Sequence, residues 1–421
     1  MNKINASIIT IGDELLIGQV IDTNSAWISQ ELNKIGVWVN HRVAVGDVGN
    51  DIWQALDEES KIADIILITG GLGPTADDIT KPLLCEYFGG KLVMDEPTLE
   101  HVTYLFEHIF KRPMPLLERN RKQAEVPDVC TVLKNAMGTA PGMLFEKKGK
   151  IFVSMPGVPN EMKTIMRDHV FGIIRDRFNL PYISHRTLVT FGIGESFLAE
   201  LIKDWEEALS PNIKLAYLPN YGMVRLRLTA FGEQEKTDDD LDTAFSKLKV
   251  LVKDYMIVDE DLTLEQVIGR LLLANNQTMS TAESCTGGYI AHLITSHPGS
   301  SAYFHGSVVS YDNRIKQDVL HVQQQTLATV GAVSEETVQQ MLTGVLDVMK
   351  TDYAVAVSGI MGPDGGTPEK PVGTVWIAAG NKTNMITKQF KFRYDRKKNI
   401  EITAMNALNM LRGFILENSQ Q

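Results

Sequence analysis

Short apolar runs recur along this chain, and each ends in a polar or glycine-bearing turn followed by a stretch of helical periodicity. ASIITIG (residues 6–12), DIILITG (64–70), QTMSTAES (277–284) and YAVAVSGI (353–360) are the clearest. Runs of this length, without strict polar alternation, suit strands buried on both faces. Between them lie stretches such as TNSAWISQELNKIG, where Ala26, Ile28, Leu32 and Ile35 fall at near-helical spacing and Gly36 closes the pattern. Strands alternating with helices of this length imply α/β layers, a mostly parallel sheet with helices on both faces.

At 421 residues the chain exceeds one ordinary core. Three segments separate by pattern. Residues 1–178 read as a doubly wound, mostly parallel α/β domain, closed by a hairpin over GMLFEKKGKIFVSMPG with its turn near Gly149 and by a helix over VPNEMKTIMRDHVFGIIRDRF. Residues 179–258 read as a small α+β module: SHRTLVTFG as strand, GESFLAELIKDWEEAL as helix, then a hairpin of IKLAYLP and GMVRLRLTAFG about a PNYG turn. Residues 259–421 return to α/β and end in a long helix over KKNIEITAMNALNMLRGFILEN.

Composition narrows the function classes. A formal charge of −11 works against nonspecific nucleic-acid binding, which needs basic surface to neutralise phosphates, so nucleic acid is not expected as a partner. No apolar run reaches the ~20 residues of a membrane span, and no membrane association is expected. The three cysteines are scattered and odd in number, without CxxC spacing, which suggests neither a disulfide framework nor a common zinc site. A reducing cytoplasm is the expected compartment.

The stretch TAESCTGGYIAHL (281–293) ends a strand and opens a helix. A side chain at such a turn stands on a rigid base, beside backbone N–H groups that lack helical partners and can stabilise an oxyanion or a phosphate. Ser284 is a candidate nucleophile, but serine needs a base. No histidine occupies a partner motif, whereas SYDNRIK places Tyr311 and Lys316 after a later strand. A lysine kept neutral by burial can deprotonate serine. Cys285 is the intrinsically stronger nucleophile, and serine at a helix start is ordinarily a cap. Spacing alone leaves these readings open.

TAESCTGG, SYDNRIK, GAVSEETV and SGIMGPDGGTPEKPVGTVW, taken together and in this order, resemble the nicotinamide-nucleotide amidase family, the C-terminal domain of CinA proteins. The resemblance implies hydrolysis of the carboxamide of nicotinamide mononucleotide to nicotinate mononucleotide and ammonia, with Ser284 as nucleophile, Lys316 as base, Tyr311 between them, and no cofactor. One departure is visible: where the family commonly reads Tyr-Ser-Asn-x-x-Lys, this chain has Asp312 in the serine position. Thr286, Gly287 and Gly288 would serve substrate binding. So would Gly359, Gly362, Gly365 and Gly366 of the loop GIMGPDGG, whose N–H groups can approach a ribose phosphate without an intervening Cβ. Arg396 resembles an arginine of a family DR motif and would help bind the nucleotide.

TGGLGPTADDIT (69–80) follows the apolar strand DIILI and forms a glycine loop at a strand-to-helix turn, a ready phosphate cradle. With GDELLIGQVIDTNSAWISQEL and MPGVPNEM it resembles the N-terminal domain of CinA, related to molybdopterin-binding proteins. This implies an ADP-ribose pyrophosphatase giving AMP and ribose 5-phosphate with a Mg²⁺-like divalent cation. Asp77 and Asp78 are the metal and catalytic candidates; Gly70, Gly71, Gly73, Thr75 and Asn24 are candidates for substrate contact. Asp13, Glu14 and Asp22 would line the same crevice, and Pro156, Gly157 and Pro159 would shape its wall. The middle segment resembles the KH-type module of the same proteins, but no GXXG clamp occurs in it, so it reads as a spacer or dimer-forming element of a homodimer. The alternative is a molybdopterin-binding protein with an inactive amidase-like domain.

Overall fold

The computed structural model describes residues 4–75, 78–220 and 222–419. Contacts divide the chain into two compact units, residues 1–184 with 230–239 and residues 185–229 with 240–421. In the first unit β1 (Asn5–Ile11), β2 (Trp38–Val45) and β3 (Ile65–Thr69) are parallel. A short ribbon pairs β4 (Leu92–Met94) with β5 (Glu125–Pro127). β6 (Thr131–Leu133), β7 (Gly142–Lys147) and β8 (Lys150–Met155) complete a six-stranded sheet of order β2-β1-β3-β8-β7-β6. β8 runs parallel to β3, while β7 and β6 are antiparallel to their neighbours. The β7–β8 turn takes positive φ at Lys148 (53°) and Gly149 (78°), the two-residue geometry that matches strand twist.

Successive residues of β3 feed opposite cores. Ile65 and Leu67 join Ile8, Ile28, Leu32, Val153 and Ile165 on one face. Ile66 and Ile68 join Ile9, Ile52, Leu56, Leu84 and Phe152 on the other. All five β3 residues are buried, and the first four are apolar; each of those four side chains contributes about 1.5–3 kcal/mol by burial. The stretch after Val158 forms one helical rod, interrupted by a single π turn at Met166–Val170 between Pro159–Ile165 and Phe171–Arg177.

β9 (Tyr182–Phe191), β10 (Ile213–Asn220), β11 (Met223–Gly232) and β12 (Met256–Val258) form a second sheet of order β10-β11-β9-β12. It carries the helices Glu195–Glu207 and Gln234–Leu251, the α+β module that the pattern implies.

The third sheet contains β13 (Met279–Glu283), β14 (Phe304–Val309), β15 (Tyr353–Gly359), β16 (Thr374–Gly380) and β17 (Met385–Lys391), in the order β14-β13-β15-β16-β17. The first three are parallel and the last two antiparallel. Met279, Val355, Val357 and Ile377 pack toward Leu264, Ile268, Ala404 and Leu408. Ala282, Ala354, Ala356 and Ala378 pack toward Leu342, Val345 and Leu346. The small alanines on that face let the helix Glu335–Met349 lie close to the sheet.

Candidate active site

In both parallel sheets the first strand is flanked by the second on one side and the third on the other. Chain connections therefore leave in opposite directions from β1, and again from β13. Such a switch point opens a crevice at the carboxyl ends of the strands. Both candidate sites lie there.

In the third sheet Glu283 pairs with Val309 of β14 and Val357 of β15. The chain then leaves β13 through Ser284, whose N–H donates to Val357 O at 3.0 Å. Ser284 is partly exposed. Cys285 turns into the core beside Ile290 and Val357, and burial pushes its thiol up to about 12. A thiol held that far from ionisation is a poor nucleophile at neutral pH, and of the two neighbours Ser284 is the more exposed.

The turn is held by a carboxylate that the sequence reading passes over. Glu283 is fully buried. One of its oxygens accepts from Thr286 Oγ1 (2.7 Å), Gly288 N (3.0 Å) and Ile290 N (3.0 Å). The other accepts from Ala291 N (2.9 Å), Thr281 Oγ1 (3.2 Å) and Ser307 Oγ (3.3 Å). Donors from the turn, the following helix and β14 thus converge on one buried charge, the condition under which burying it is tolerable. Gly287 and Gly288 take left-handed φ of 62° and 97°, which frees the turn for that arrangement.

Lys316 lies on the short helix Asn313–Asp318 after β14, is 1 % exposed, and donates from Nζ to Ser310 O at 2.6 Å. Burial pulls its pKa below the usual lysine value; Cys285 and Asp312 pull the other way. Asp312, the departure from the family pattern, caps that helix by accepting from Arg314 N at 2.7 Å. Among the described residues Lys316 makes no direct hydrogen bond to Ser284.

Arg396, at the start of the closing helix, donates to Tyr311 OH and to Gly362 O, both at 2.8 Å. It therefore ties together three residues that the sequence places 85 and 34 positions apart. Tyr311 is 62 % exposed and turns its hydroxyl to Arg396. Gly362 and Gly365 have positive φ in the loop that follows β15. Gly359 and Gly366 sit where a Cβ would crowd Val375 and Val372 respectively, so their immediate role is packing. Thr286, Gly287 and Gly288 line a shallow cleft of about 440 Å³ with Tyr289, His292 and Lys397.

In the first unit a cleft of about 420 Å³ opens beyond the ends of β1 and β3. Glu14, Asp22, Asn24, Gly70, Gly71, Gly73, Asp78, Pro156, Gly157 and Pro159 all line it. A Cβ on Gly70 would stand 2.1 Å from Ile11 O, and one on Gly71 2.1 Å from Thr80 Oγ1; only glycine admits this approach of loop to sheet. Asn24 donates to Gly157 O (2.7 Å) and Thr69 Oγ1 (3.2 Å), joining the two walls. Asp78 accepts from Gly73 N (2.7 Å), Thr75 N (2.9 Å) and Thr75 Oγ1, and so shapes the loop itself. Asp13 pairs with the backbone of Asp47 rather than facing the cleft. Asp77 lies outside the described residues.

Gln123 and Glu161 also line the cleft, and sequence spacing gives no hint of either. Burial raises the Glu161 pKa, while Asn135 Nδ2, at 2.6 Å, opposes the shift. No group of three or more potential metal ligands occurs among the described residues. The carboxylates that face the cleft suit a magnesium-like ion, which needs one or two of them and takes its remaining ligands from water and substrate phosphates.

Three domain matches cover the chain: a probable molybdopterin-binding domain over residues 7–176, the KH domain of damage-inducible CinA over 185–256, and the CinA C-terminal domain over 261–415. A CinA-like protein of Cytophaga hutchinsonii is 47% identical over 97% of both chains. The chain belongs to the CinA family. A CinA-like protein of Flavobacterium psychrophilum is 45% identical over 98% of this chain and 99% of its own. Among solved structures, the competence/damage inducible protein of Agrobacterium tumefaciens is 40% identical, covering 36% of this chain and 92% of that one, with a TM-score of 0.35. The first domain is therefore of the molybdopterin-binding type, the middle one of the CinA KH type and the last the CinA C-terminal α/β domain. Among the described residues no helix is long and apolar enough to cross a membrane.

Proposed function

We propose that this chain is a two-site nucleotide hydrolase: an amidase releasing ammonia from nicotinamide mononucleotide in the third domain, and a pyrophosphatase cleaving ADP-ribose in the first. The observation that carries the amidase reading is Ser284 just past the end of β13, with a buried Lys316 on the short helix that follows the neighbouring strand β14. Burial favours the neutral amine, which can accept the Ser284 proton as the hydroxyl attacks the carboxamide carbon. The oxyanion would face backbone N–H groups of the turn other than those of Gly288, Ile290 and Ala291, which Glu283 already engages. The ammonium of Lys316 then protonates the departing nitrogen, and water hydrolyses the resulting ester. Arg396 and the loop at Gly362, which it bonds, would receive the nucleotide's phosphate.

In the first cleft the glycine loop would hold the phosphates, while Asp78, with Asp77, would hold a divalent ion; that ion would supply charge neutralisation on the phosphates when bound. Asn24 and the Pro156–Gly157 wall orient the ligand. The match to a molybdopterin-binding domain favours one second reading, in which the first cleft binds a molybdopterin and the third domain is inactive.

Assays of the purified chain with each substrate, with and without a chelator, separate these readings. Ammonia release that survives chelation, together with ADP-ribose cleavage that does not, supports the two-site reading. Absence of both, with tight binding of molybdopterin, supports the second.

A further inference from the structure

Ser310 is the residue between β14 and the Tyr311–Lys316 motif, and it is fully buried. Its N–H donates to the carbonyl of Glu283 at 2.8 Å, and its own carbonyl accepts from Lys316 Nζ at 2.6 Å. Main-chain bonds thus fix it to the residue before Ser284 on one side and to the lysine amine on the other. Its hydroxyl has no hydrogen-bond partner among the described residues, although a buried hydroxyl ordinarily has one. The strand register continues this juxtaposition. The register ends with Glu283 paired to Val309; extended by one residue, as the Ser310 N–H to Glu283 O bond suggests, it would set Ser284 beside Ser310 at about the 4.8 Å strand spacing and on the same side of the sheet. That side is the one where Ala282 and Val308 pack against Leu320, with Ile315 beside them, the side of the helix that carries Lys316.

We propose that the Ser310 hydroxyl is the proton relay between Ser284 and Lys316. The inference rests on the amidase reading; at rest the Ser310 hydroxyl bonds neither Ser284 nor Lys316, so the relay requires that hydroxyl to rotate between the two groups during turnover. In acylation, Ser310 Oγ takes the proton of Ser284 and passes its own to the neutral Lys316 amine. The Ser284 O–C bond forms and the carbonyl pair moves onto oxygen. The Lys316 ammonium then returns a proton through Ser310 to the amide nitrogen, the C–N bond breaks, and ammonia leaves. In deacylation water gives its proton along the same path, its oxygen bonds to the acyl carbon, and the ester C–O bond breaks with the proton returned to Ser284. The sum is amide plus water to acid plus ammonia. Tyr311, whose hydroxyl is engaged by Arg396, is left to substrate contact.

The test is Ser310→Ala, with Ser310→Thr as the hydroxyl-retaining control, on the full chain. Removing an unpartnered buried hydroxyl should leave the thermal midpoint at or above that of the unaltered protein. Ammonia release from nicotinamide mononucleotide should nevertheless fall by roughly 10²–10³ in kcat, with KM little changed. The threonine variant should recover most of the rate, or, if its extra methyl lowers the midpoint, at least exceed alanine. A second readout does not depend on the substrate: the rate at which a fluorophosphonate labels Ser284, located by peptide mass. Slower labelling in the alanine variant supports the relay even if nicotinamide mononucleotide is not turned over, an outcome that would sink only the substrate assignment. Equal labelling and equal kcat in the alanine variant overturn the relay, as does a Ser284 that the reagent does not label in the unaltered protein.

Discussion

The amine of Lys316 and the carbonyl of Ser310 are 2.6 Å apart, in a site where the lysine is almost wholly enclosed. One hydrogen bond to a neutral acceptor does little to offset the desolvation of an ammonium, so burial dominates and favours the uncharged amine. That imbalance is in the direction a lysine needs to serve as base.

Amidase activity should therefore fall with acidification as Lys316 takes up its proton, on a limb lying below the ordinary lysine range. Lys316→Arg, permanently charged, should lower kcat by at least about 10³ at every pH. A pH–rate profile of both proteins checks this; a variant that retains a pH-dependent rate would remove Lys316 from the role of base.

Arg396→Ala should act on binding more than on chemistry, because Arg396 contacts Tyr311 and the Gly362 loop rather than Ser284 or Lys316. A rise in KM for nicotinamide mononucleotide of about 10-fold is expected, in line with the loss of one charged contact, with kcat changed only a few-fold. Steady-state kinetics would show the split.

Glu283 should prove structural and catalytic at once. Glu283→Ala leaves three backbone N–H groups and three hydroxyls without their acceptor. The expected cost is on the order of 3 kcal/mol, read as a lowered denaturation midpoint, with amidase activity lost. Glu283→Gln keeps one acceptor oxygen and should lose less of both.

Lys81 offers a test in the first unit. It is 7 % exposed, donates to Gln123 O at 2.9 Å, and burial lowers its pKa from 10.5 to about 8. Between those two values the unfolded chain holds a proton that the folded chain has released, so stability rises with pH across the window. The rise amounts to about 3 kcal/mol at 1.36 kcal/mol per unit. Lys81→Met should flatten it, as followed by denaturant titration from pH 7 to 10.5; an unchanged slope would show that Lys81 is not the source.

The sequence makes the sheets legible because β3 and β15 are buried on both faces and are mostly apolar, whereas β13 buries Ser280, Thr281 and Glu283 among its five residues. The sequence also makes Ser284, Lys316 and Arg396 legible as candidates, through three separate motifs. It does not show what the surroundings decide. Glu283 reads as one acidic residue in a polar turn, and only the arrival of Ser307 and the next helix's N–H groups makes it an anchor. Ser310 reads as a small residue at a strand end. Gln123 and Glu161 reach the first cleft from segments about 50 and 90 positions beyond the glycine loop, brought there by packing. The π turn at Met166–Val170 has no glycine or proline within it to announce it. Asp78 reads in the sequence as a metal candidate; in the fold both its oxygens accept from loop donors, a loop-building role that the motif does not announce.

The measurement that bears most directly on the account is a crossed assay of two single variants, Ser284→Ala and Asp78→Ala, against both substrates. With Ser284→Ala, ammonia release from nicotinamide mononucleotide should drop by about 10⁴ or more while ADP-ribose cleavage holds; Asp78→Ala should do the reverse. A folded Ser284→Ala protein that still releases ammonia at the original rate would contradict the account.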